Sequence, residues 1–136
     1  MKCYVDSTVL LRYLLTDDRE FERVRDYDQV GSSELLVIEC RRVLHRYRLD
    51  SQLTDEELGR ALMYFDEVRA SIRVFDLTRS VKDLASGAFP TAIGTLDALH
   101  LATARLWADQ DSEPLVLFTH DQRMRLCAGA MGLHAV

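Results

Sequence analysis

Several features are scarce in this chain of 136 residues, and their scarcity excludes whole classes of protein. No apolar run approaches the roughly 18 residues of a membrane-spanning helix. The first acidic residue, Asp6, comes too early for the apolar region of a signal peptide. There are only two prolines, and we find no low-complexity tract or linker. The sequence therefore predicts a single soluble domain over residues 1–136, cytoplasmic and without a membrane partner.

Cysteine is also sparse, with an odd count of three and no CxxC pair. Their spacing forms no zinc pattern with the four histidines. We therefore expect reduced, buried thiols at Cys3, Cys40 and Cys127. The histidines are expected to be structural or on the surface, because a metal hydroxide needs no histidine base. They are His45, His100, His120 and His134.

Lysine is nearly absent, with two lysines against fifteen arginines and a formal net charge of −5. The acidic balance argues against a general nucleic-acid coat, because phosphate binding is driven by basic side chains. Arginine, however, suits bidentate contact with phosphate or carboxylate. The position of the arginines therefore matters more than the net charge.

Short apolar runs alternate with helical patterns along the chain. Serines at Gly31-Ser32-Ser33 and a capping box at Thr54 to Glu57 mark two helix starts. Strands separated by helices predict a parallel sheet covered on both faces. We expect part of the long helical stretch 7–70 to project as an arm. The predicted strands are 2–6, 72–75, 115–119 and 133–136, and the predicted helices are 7–15, 18–27, 33–48, 55–70, 79–87, 96–109 and 121–129.

Acidic residues stand at the ends of these elements. Asp6 ends the first strand, and Asp121 lies two residues beyond the strand 115–119. The carboxyl ends of parallel strands share one edge of a sheet, where α/β proteins bind ligands. Asp97 opens an apolar helix whose expected cap is Thr95. Helix capping or the helix dipole would explain each of these three residues individually.

Glu39 is harder to explain in that way. On a helical wheel it lies on the rim of the apolar arc, with Arg46 and Arg42 roughly 20° and 60° further round. A glutamate beside the core is unfavourable unless it is paired. An i,i+3 pair with Arg42 would contribute only about 0.2–0.5 kcal/mol. A metal ligand is therefore the favoured interpretation of Glu39.

Convergence of four carboxylates would be destabilising unless some of them stay protonated or a cation holds them. Each pair at about 5 Å and an effective dielectric near 20 costs about 3 kcal/mol. Oxygen-only ligands favour Mg²⁺ or Mn²⁺ over zinc. The chemistry that fits such a centre is hydrolysis of a phosphodiester, with a water activated by the metal.

Four segments together resemble the PIN-domain nucleases, and more closely the VapC-type toxins of bacterial toxin–antitoxin pairs. They are Val5-Asp6-Ser7, Glu39 within 34–44, Asp97 within 96–104, and Thr119-His120-Asp121. The resemblance implies a three-layer α/β/α sandwich around a short parallel sheet. It also implies a Mg²⁺- or Mn²⁺-dependent endoribonuclease that forms homodimers and is neutralised by a small cognate antitoxin. It assigns Asp6, Glu39, Asp97 and Asp121 as the catalytic, metal-binding quartet, supported by the hydroxyls of Ser7 and Thr119.

Arginines beside Glu39 suggest how RNA would be held. Arg42 and Arg46 share its side of the helix, and Arg12 ends the first short helix. We expect them to contact phosphates. A solvated surface, or salt bridges to the antitoxin, is the alternative.

Other classes fit less well. A haloacid-dehalogenase-type phosphatase needs a second Asp where Thr8 stands, and a dinucleotide-binding fold needs a glycine-rich turn. A receiver domain needs a late lysine, which the two lysines do not supply. Two alternatives stay open: a catalytically silent PIN-like interaction module, and a PIN nuclease that processes RNA rather than acting as a toxin.

Overall fold

A five-stranded parallel sheet forms the centre of the molecule in a computed structural model that describes residues 1–16 and 18–136. The strand order is β3-β2-β1-β4-β5, so β1 and β4 lie side by side. Val5 of β1 is in register with Phe118 of β4. The strands are β1 (Lys2–Val5), β2 (Gln29–Ser33), β3 (Arg73–Phe75), β4 (Leu115–Phe118) and β5 (His134–Ala135).

Helices follow each of the first four strands. The capping box predicted at Thr54 is present, since Thr54 and Glu57 each accept from the other's backbone N–H. The segment predicted as a helix at 18–27 forms a 3₁₀ helix over Glu20–Asp26. The α-helices are α1 (Ser7–Leu15), α2 (Leu35–Leu49), α3 (Asp55–Ser71), α4 (Arg79–Ala85), α5 (Thr95–Ala108) and α6 (Gln122–Ala130).

Alternate residues of the central strands feed two separate cores. Cys3 and Val5 of β1 face one way and pack with Leu36 of α2 and Phe65 of α3. Tyr4 faces the other way, in a core that includes α5 and α6. This period of two, in strands buried on both faces, is typical of a sheet between two helical layers. The predicted three-layer α/β/α sandwich is confirmed.

The sequence prediction missed β2 and began the next helix too early. Residues 29–33 form a strand, and α2 starts only at Leu35. The segment has only one β-branched residue, Val30, but gains partners from the tertiary structure. Ser32 Oγ donates to the Val5 carbonyl at 2.6 Å. A Cβ on Gly31 would lie 2.9 Å from the Phe75 ring, so the close packing here requires glycine.

The expected helical arm is divided by β2. The two helices that follow β2, α2 and α3, pack on each other and on α1, and they bury Cys40 and Phe65. The end of α2 is nonetheless open to solvent, with Leu49 83% exposed. The stretch 7–70 is therefore held by the contacts among α1, α2 and α3, whereas the C-terminal end of α2 is exposed.

All three cysteines are free and buried, as predicted. Burial raises the pKa of the Cys3 thiol to about 12, which keeps it protonated and unreactive at neutral pH. None of the helices among residues 1–16 and 18–136 is long and apolar enough to cross a membrane.

Candidate active site

Two of the acids, Asp6 and Asp121, follow parallel strands that end at the same edge of the sheet. Asp6 follows β1 and caps α1, while Asp121 lies beyond β4 and caps α6. The backbone N–H of Asp6 donates to the Phe118 carbonyl at 3.0 Å, which ties the two strand ends together. Capping therefore explains the local conformation at both residues, and the parallel pairing of β1 and β4 places both at one edge.

Asp6 is 2% exposed and is surrounded by donors. Its Oδ1 accepts from the Ser7 backbone N–H at 2.7 Å. Its Oδ2 accepts from Thr8 Oγ1 at 2.7 Å and from Thr119 Oγ1 at 2.8 Å. These hydrogen bonds hold the carboxylate in one orientation. Thr8, which the sequence reasoning left out, therefore joins Ser7 and Thr119 around this side chain.

Glu39 reaches Asp6 through a shared neighbour. Ser7 Oγ lies 3.2 Å from Glu39 Oε2 and 3.4 Å from Asp6 Oδ1. The Glu39 side chain is 21% exposed, in keeping with its predicted position at the rim of the core. Among residues 1–16 and 18–136 it makes no ion pair with Arg42, so the surface pair considered as an alternative does not form.

His100 is the contact that the sequence analysis did not predict. It is fully buried on α5, and its Nε2 lies 2.5 Å from Glu39 Oε1 and 3.8 Å from Asp6 Oδ1. Its Nδ1 lies 2.7 Å from the Tyr4 hydroxyl. The one available signal was its position three residues after Asp97, on the same side of a helix.

Asp97 lies in the first turn of α5, whose cap is Gly94 rather than the expected Thr95. Burial raises the pKa of its carboxyl, and the charges of Asp121, Asp6 and Glu39 raise it further. His100 acts in the opposite direction. The charges of all three other acids therefore act on Asp97, as expected for a group of carboxylates that share one site.

Asp121 caps α6 through one oxygen only. Its Oδ1 accepts from the backbone N–H groups of Arg123 at 2.8 Å and Met124 at 3.1 Å. Oδ2 makes no further hydrogen bond to the residues that the structure describes. One carboxylate can thus cap a helix and still offer an oxygen to a ligand.

The donor set of the quartet suits a hard divalent cation. It consists of carboxylate oxygens with hydroxyls close by, and within the described residues no Lys or Arg forms an ion pair with any of the four acids. Burial and then the charges of the other three acids raise the pKa of Asp97, and a cation would neutralise those charges. The residues therefore fit Mg²⁺ or Mn²⁺.

A tighter acidic group lies next to the quartet. Asp18, Glu20 and His120 place one ligand atom each within 4.8 Å of one another, the sole such trio in residues 1–16 and 18–136. Arg12 lies against it, with Nε 3.6 Å from Asp18 and one guanidinium nitrogen 3.2 Å from His120 Nδ1. The Arg12 guanidinium already places a positive charge beside this trio. Arg12, a predicted RNA contact, is therefore partly occupied by Asp18 and His120.

The arginines of α2 fall into two groups. Arg41 pairs with Asp66 of α3 at 3.8 Å, and Arg48 pairs with Asp55. Arg42 and Arg46 are exposed, and neither makes an ion pair or side-chain hydrogen bond to any residue the structure describes. The pair predicted to contact RNA is therefore also the pair of α2 arginines without a partner in the part of the chain that the structure describes.

A family model described as "PIN domain" matches residues 3–129. This chain belongs to the PIN-domain family. The chain is also 33% identical to Ribonuclease VapC46 of Mycobacterium tuberculosis, over 98% of its own length and 95% of the relative's. The resemblance stated from the four acidic segments is thereby confirmed.

Solved PIN-like structures share the fold at low sequence identity. A crystal structure of VapBC2 from Rickettsia felis bound to a DNA fragment from its promoter matches with a TM-score of 0.71 and 10% identity, covering 100% of this chain and 98% of that one. A toxin–antitoxin complex from Klebsiella pneumoniae matches at 0.64 with 16% identity, over 98% and 95% of the two chains. PAE2754 from Pyrobaculum aerophilum matches at 0.65 with 17% identity, over 100% and 84%. These likenesses concern the fold.

Proposed function

We propose that this chain is a Mg²⁺- or Mn²⁺-dependent endoribonuclease and the toxin of a type II toxin–antitoxin pair. One PIN-like domain spanning residues 1–136 carries the activity. The observation that carries the proposal is the set of four mutually repelling acids at one sheet edge, which make no ion pair with a Lys or Arg among the described residues. The identity to a ribonuclease over nearly the whole chain supports the choice of RNA as substrate.

Asp6, Glu39, Asp97 and Asp121 would hold the metal. When bound, a divalent cation there would lower the pKa of a water and stabilise the departing oxygen of the phosphodiester. The protein prepares for this by fixing its ligands beforehand. The hydroxyls of Thr8 and Thr119 restrain Asp6 at 2.7 and 2.8 Å, and α6 restrains Asp121 through its capping bonds.

Arg42 and Arg46 would bind the phosphates that flank the cleaved bond. They lie on the Glu39 side of α2, are exposed, and have no acidic partner among the described residues. A guanidinium offers two parallel donors to a phosphate and stays charged at all physiological pH values. Arg12 has a weaker claim, because Asp18 and His120 already contact it.

A cognate antitoxin and a second copy of the chain are the proposed protein partners, in the cytoplasm. Two of the similar structures are toxin–antitoxin complexes, which supports the first. Several apolar side chains are left exposed, among them Leu49, Met63 and Leu126. Light scattering of the purified chain tests the second partner: a mass twice that of the chain is expected, and a monomer at all concentrations would refute it.

Cleavage of RNA by the purified protein tests the main proposal. Total RNA should be cut with Mg²⁺ or Mn²⁺ present, and cutting should stop with EDTA or with Asp97→Asn. Asp18→Asn is the matched control, because it removes an acid from the neighbouring trio and should leave cleavage intact. Cleavage that persists with EDTA and in Asp97→Asn would refute the proposal.

Induction in a bacterial host separates the alternatives. A toxin should arrest growth, and Asp6→Asn should abolish the arrest. Arrest that is unchanged by Asp6→Asn would favour the silent interaction module. Metal-dependent cleavage in vitro without growth arrest would favour an RNA-processing nuclease.

A further inference from the structure

Tyr4 and His100 connect the backbone of β2 to the carboxylate of Glu39. Both are fully buried, and neither belongs to the acidic quartet. The Ser33 backbone N–H donates to the Tyr4 hydroxyl at 3.1 Å, and that hydroxyl lies 2.7 Å from His100 Nδ1. His100 Nε2 then lies 2.5 Å from Glu39 Oε1. The chain of contacts runs from the core to the candidate metal site.

The first and last hydrogen bonds of this chain of contacts have directions fixed by their partners. A backbone N–H can only donate, so the Tyr4 oxygen accepts from Ser33 and its own proton is free to point at His100 Nδ1. An imidazole that accepts this proton at Nδ1 carries its own proton on Nε2. That proton faces Glu39 Oε1, which as a carboxylate oxygen accepts it.

This arrangement divides the two oxygens of Glu39. Oε1 is held by His100, while Oε2 lies 3.2 Å from Ser7 Oγ, which also approaches Asp6. The Nε2–H group orients the carboxylate by holding Oε1. The exposed arginines of α2 make no contact with Glu39, so His100 is its strongest partner among the described residues.

We propose that Tyr4 and His100 form a positioning pair, which locks the imidazole as an Nε2–H donor and holds Glu39 with Oε2 turned toward the metal site. The inference rests on the proposed function, because it gives Glu39 a metal to bind. Hydrogen-bonded partners of metal-ligating carboxylates typically change metal affinity or activity by about 10–100-fold when they are lost.

Calorimetric titration with Mn²⁺ tests the positioning role. His100→Leu removes the donor and should weaken Mn²⁺ binding by about 10–100-fold. His100→Gln places an amide N–H near the position of Nε2 and should recover most of the affinity. Tyr4→Phe keeps the ring but frees the imidazole, so an intermediate loss is expected. His134→Gln, on the exposed strand β5, is the control.

Two calorimetric results would overturn the proposal. One is His100→Leu binding Mn²⁺ as tightly as the unmodified chain, or more tightly. The other is His100→Gln losing as much affinity as His100→Leu, because packing alone would then explain the residue. Melting curves of the metal-free variants show whether each is folded. If His100→Leu does not fold, the other two variants still test the proposal, because Tyr4→Phe should lose part of the affinity and His100→Gln should keep most of it.

Nitrogen-15 NMR of the histidine side chains tests the lock without metal or RNA. The His100 signals, assigned by their loss in His100→Gln, should show a protonated Nε2 and an accepting Nδ1. Tyr4→Phe should shift the Nδ1 signal. A protonated Nδ1, or signals that Tyr4→Phe leaves unmoved, would refute the inference. This outcome is independent of cleavage, so failure of the proposed function and failure of the positioning pair are distinguishable.

Discussion

Two acidic groups lie close together in this protein, and they differ in how their charge is neutralised. Asp18 and Glu20 surround His120 and have Arg12 beside them, within 3.6 Å of Asp18. The quartet has hydroxyls, backbone N–H groups and one buried histidine, but no lysine or arginine ion pair within the described residues. A tight acidic group with its own guanidinium is a structural ion-pair network. We propose that the acidic group without one binds a cation from solution.

Removing one acid from each group should have very different effects on catalysis. Asp97→Asn should lower RNA cleavage by about 100-fold or more, because a metal clamp supplies several kcal/mol of transition-state stabilisation. Initial cleavage rates at saturating Mg²⁺ measure this. Glu20→Gln is the control in the other group, and it should leave the rate nearly unchanged. Equal losses in the two variants would contradict the distinction drawn between the groups.

Metal should stabilise the fold through the quartet alone. At one hundred times its Kd, a ligand that binds only the folded state adds about 2.7 kcal/mol, or roughly 10 °C in Tm for a chain of this size. Thermal melts with and without Mn²⁺ measure the shift. It should vanish in Asp97→Asn and survive in Asp18→Asn. A shift that depends on Asp18 instead would move the metal to the other group.

The arginines of α2 also differ in whether they have a partner. Arg41 and Arg48 have acidic partners, whereas Arg42 and Arg46 have none among the described residues. Changing Arg42 and Arg46 together to Ala should weaken RNA binding roughly tenfold, and should reduce the slope of log K against log salt by about 1.4. Mn²⁺ affinity should stay in place. The matched double variant, Arg41→Ala with Arg48→Ala, removes arginines paired to Asp66 and Asp55 and should change the slope less. An RNA affinity unchanged by the first variant would remove Arg42 and Arg46 from the site.

A smaller effect should appear in the metal-free protein as pH changes. The pKa of Asp97 is raised on folding, mainly by burial. The ionised carboxylate therefore lowers the free energy of unfolding. This destabilisation is absent below the ordinary pKa and grows as pH rises through the raised value. Asp97→Asn should therefore raise the Tm of the metal-free chain at pH 7 and do so less near pH 4.

Asp109 should affect the pH dependence of stability in the opposite direction. Arg105 lowers the pKa of Asp109, so that its stabilisation is present above the ordinary pKa and is lost as pH falls. Asp109→Asn should lower the Tm slightly at pH 7, within the small range of surface pairs.

If Asp97→Asn also lowered the Tm at pH 7, the repulsion among the quartet would be refuted.

Local sequence patterns predicted most elements because their signals are local. The apolar runs of β1 and β4 and the capping box at Thr54 each lie within a few residues. The strand β2 has no such signal. It exists because Gly31 permits close packing against Phe75 and because Ser32 bonds to Val5, contacts that only the assembled sheet supplies.

The same reasoning separates the predicted from the missed parts of the site. Asp6 and Asp121 were predictable, since strand ends mark one sheet edge once the strands are known to be parallel. The contact between His100 and Glu39 joins residues 61 positions apart on two helices that pack on opposite faces of the sheet. A wheel drawn for either helix alone shows its buried side but not its partner.

Anomalous diffraction from a crystal soaked in Mn²⁺ tests the central claim most directly. Among the described residues the quartet has no Lys or Arg ion pair, whereas the trio of Asp18, Glu20 and His120 has Arg12 beside it. The expected result is an anomalous peak among Asp6, Glu39, Asp97 and Asp121, and no peak at the trio. A peak at the trio with none in the quartet would contradict the account.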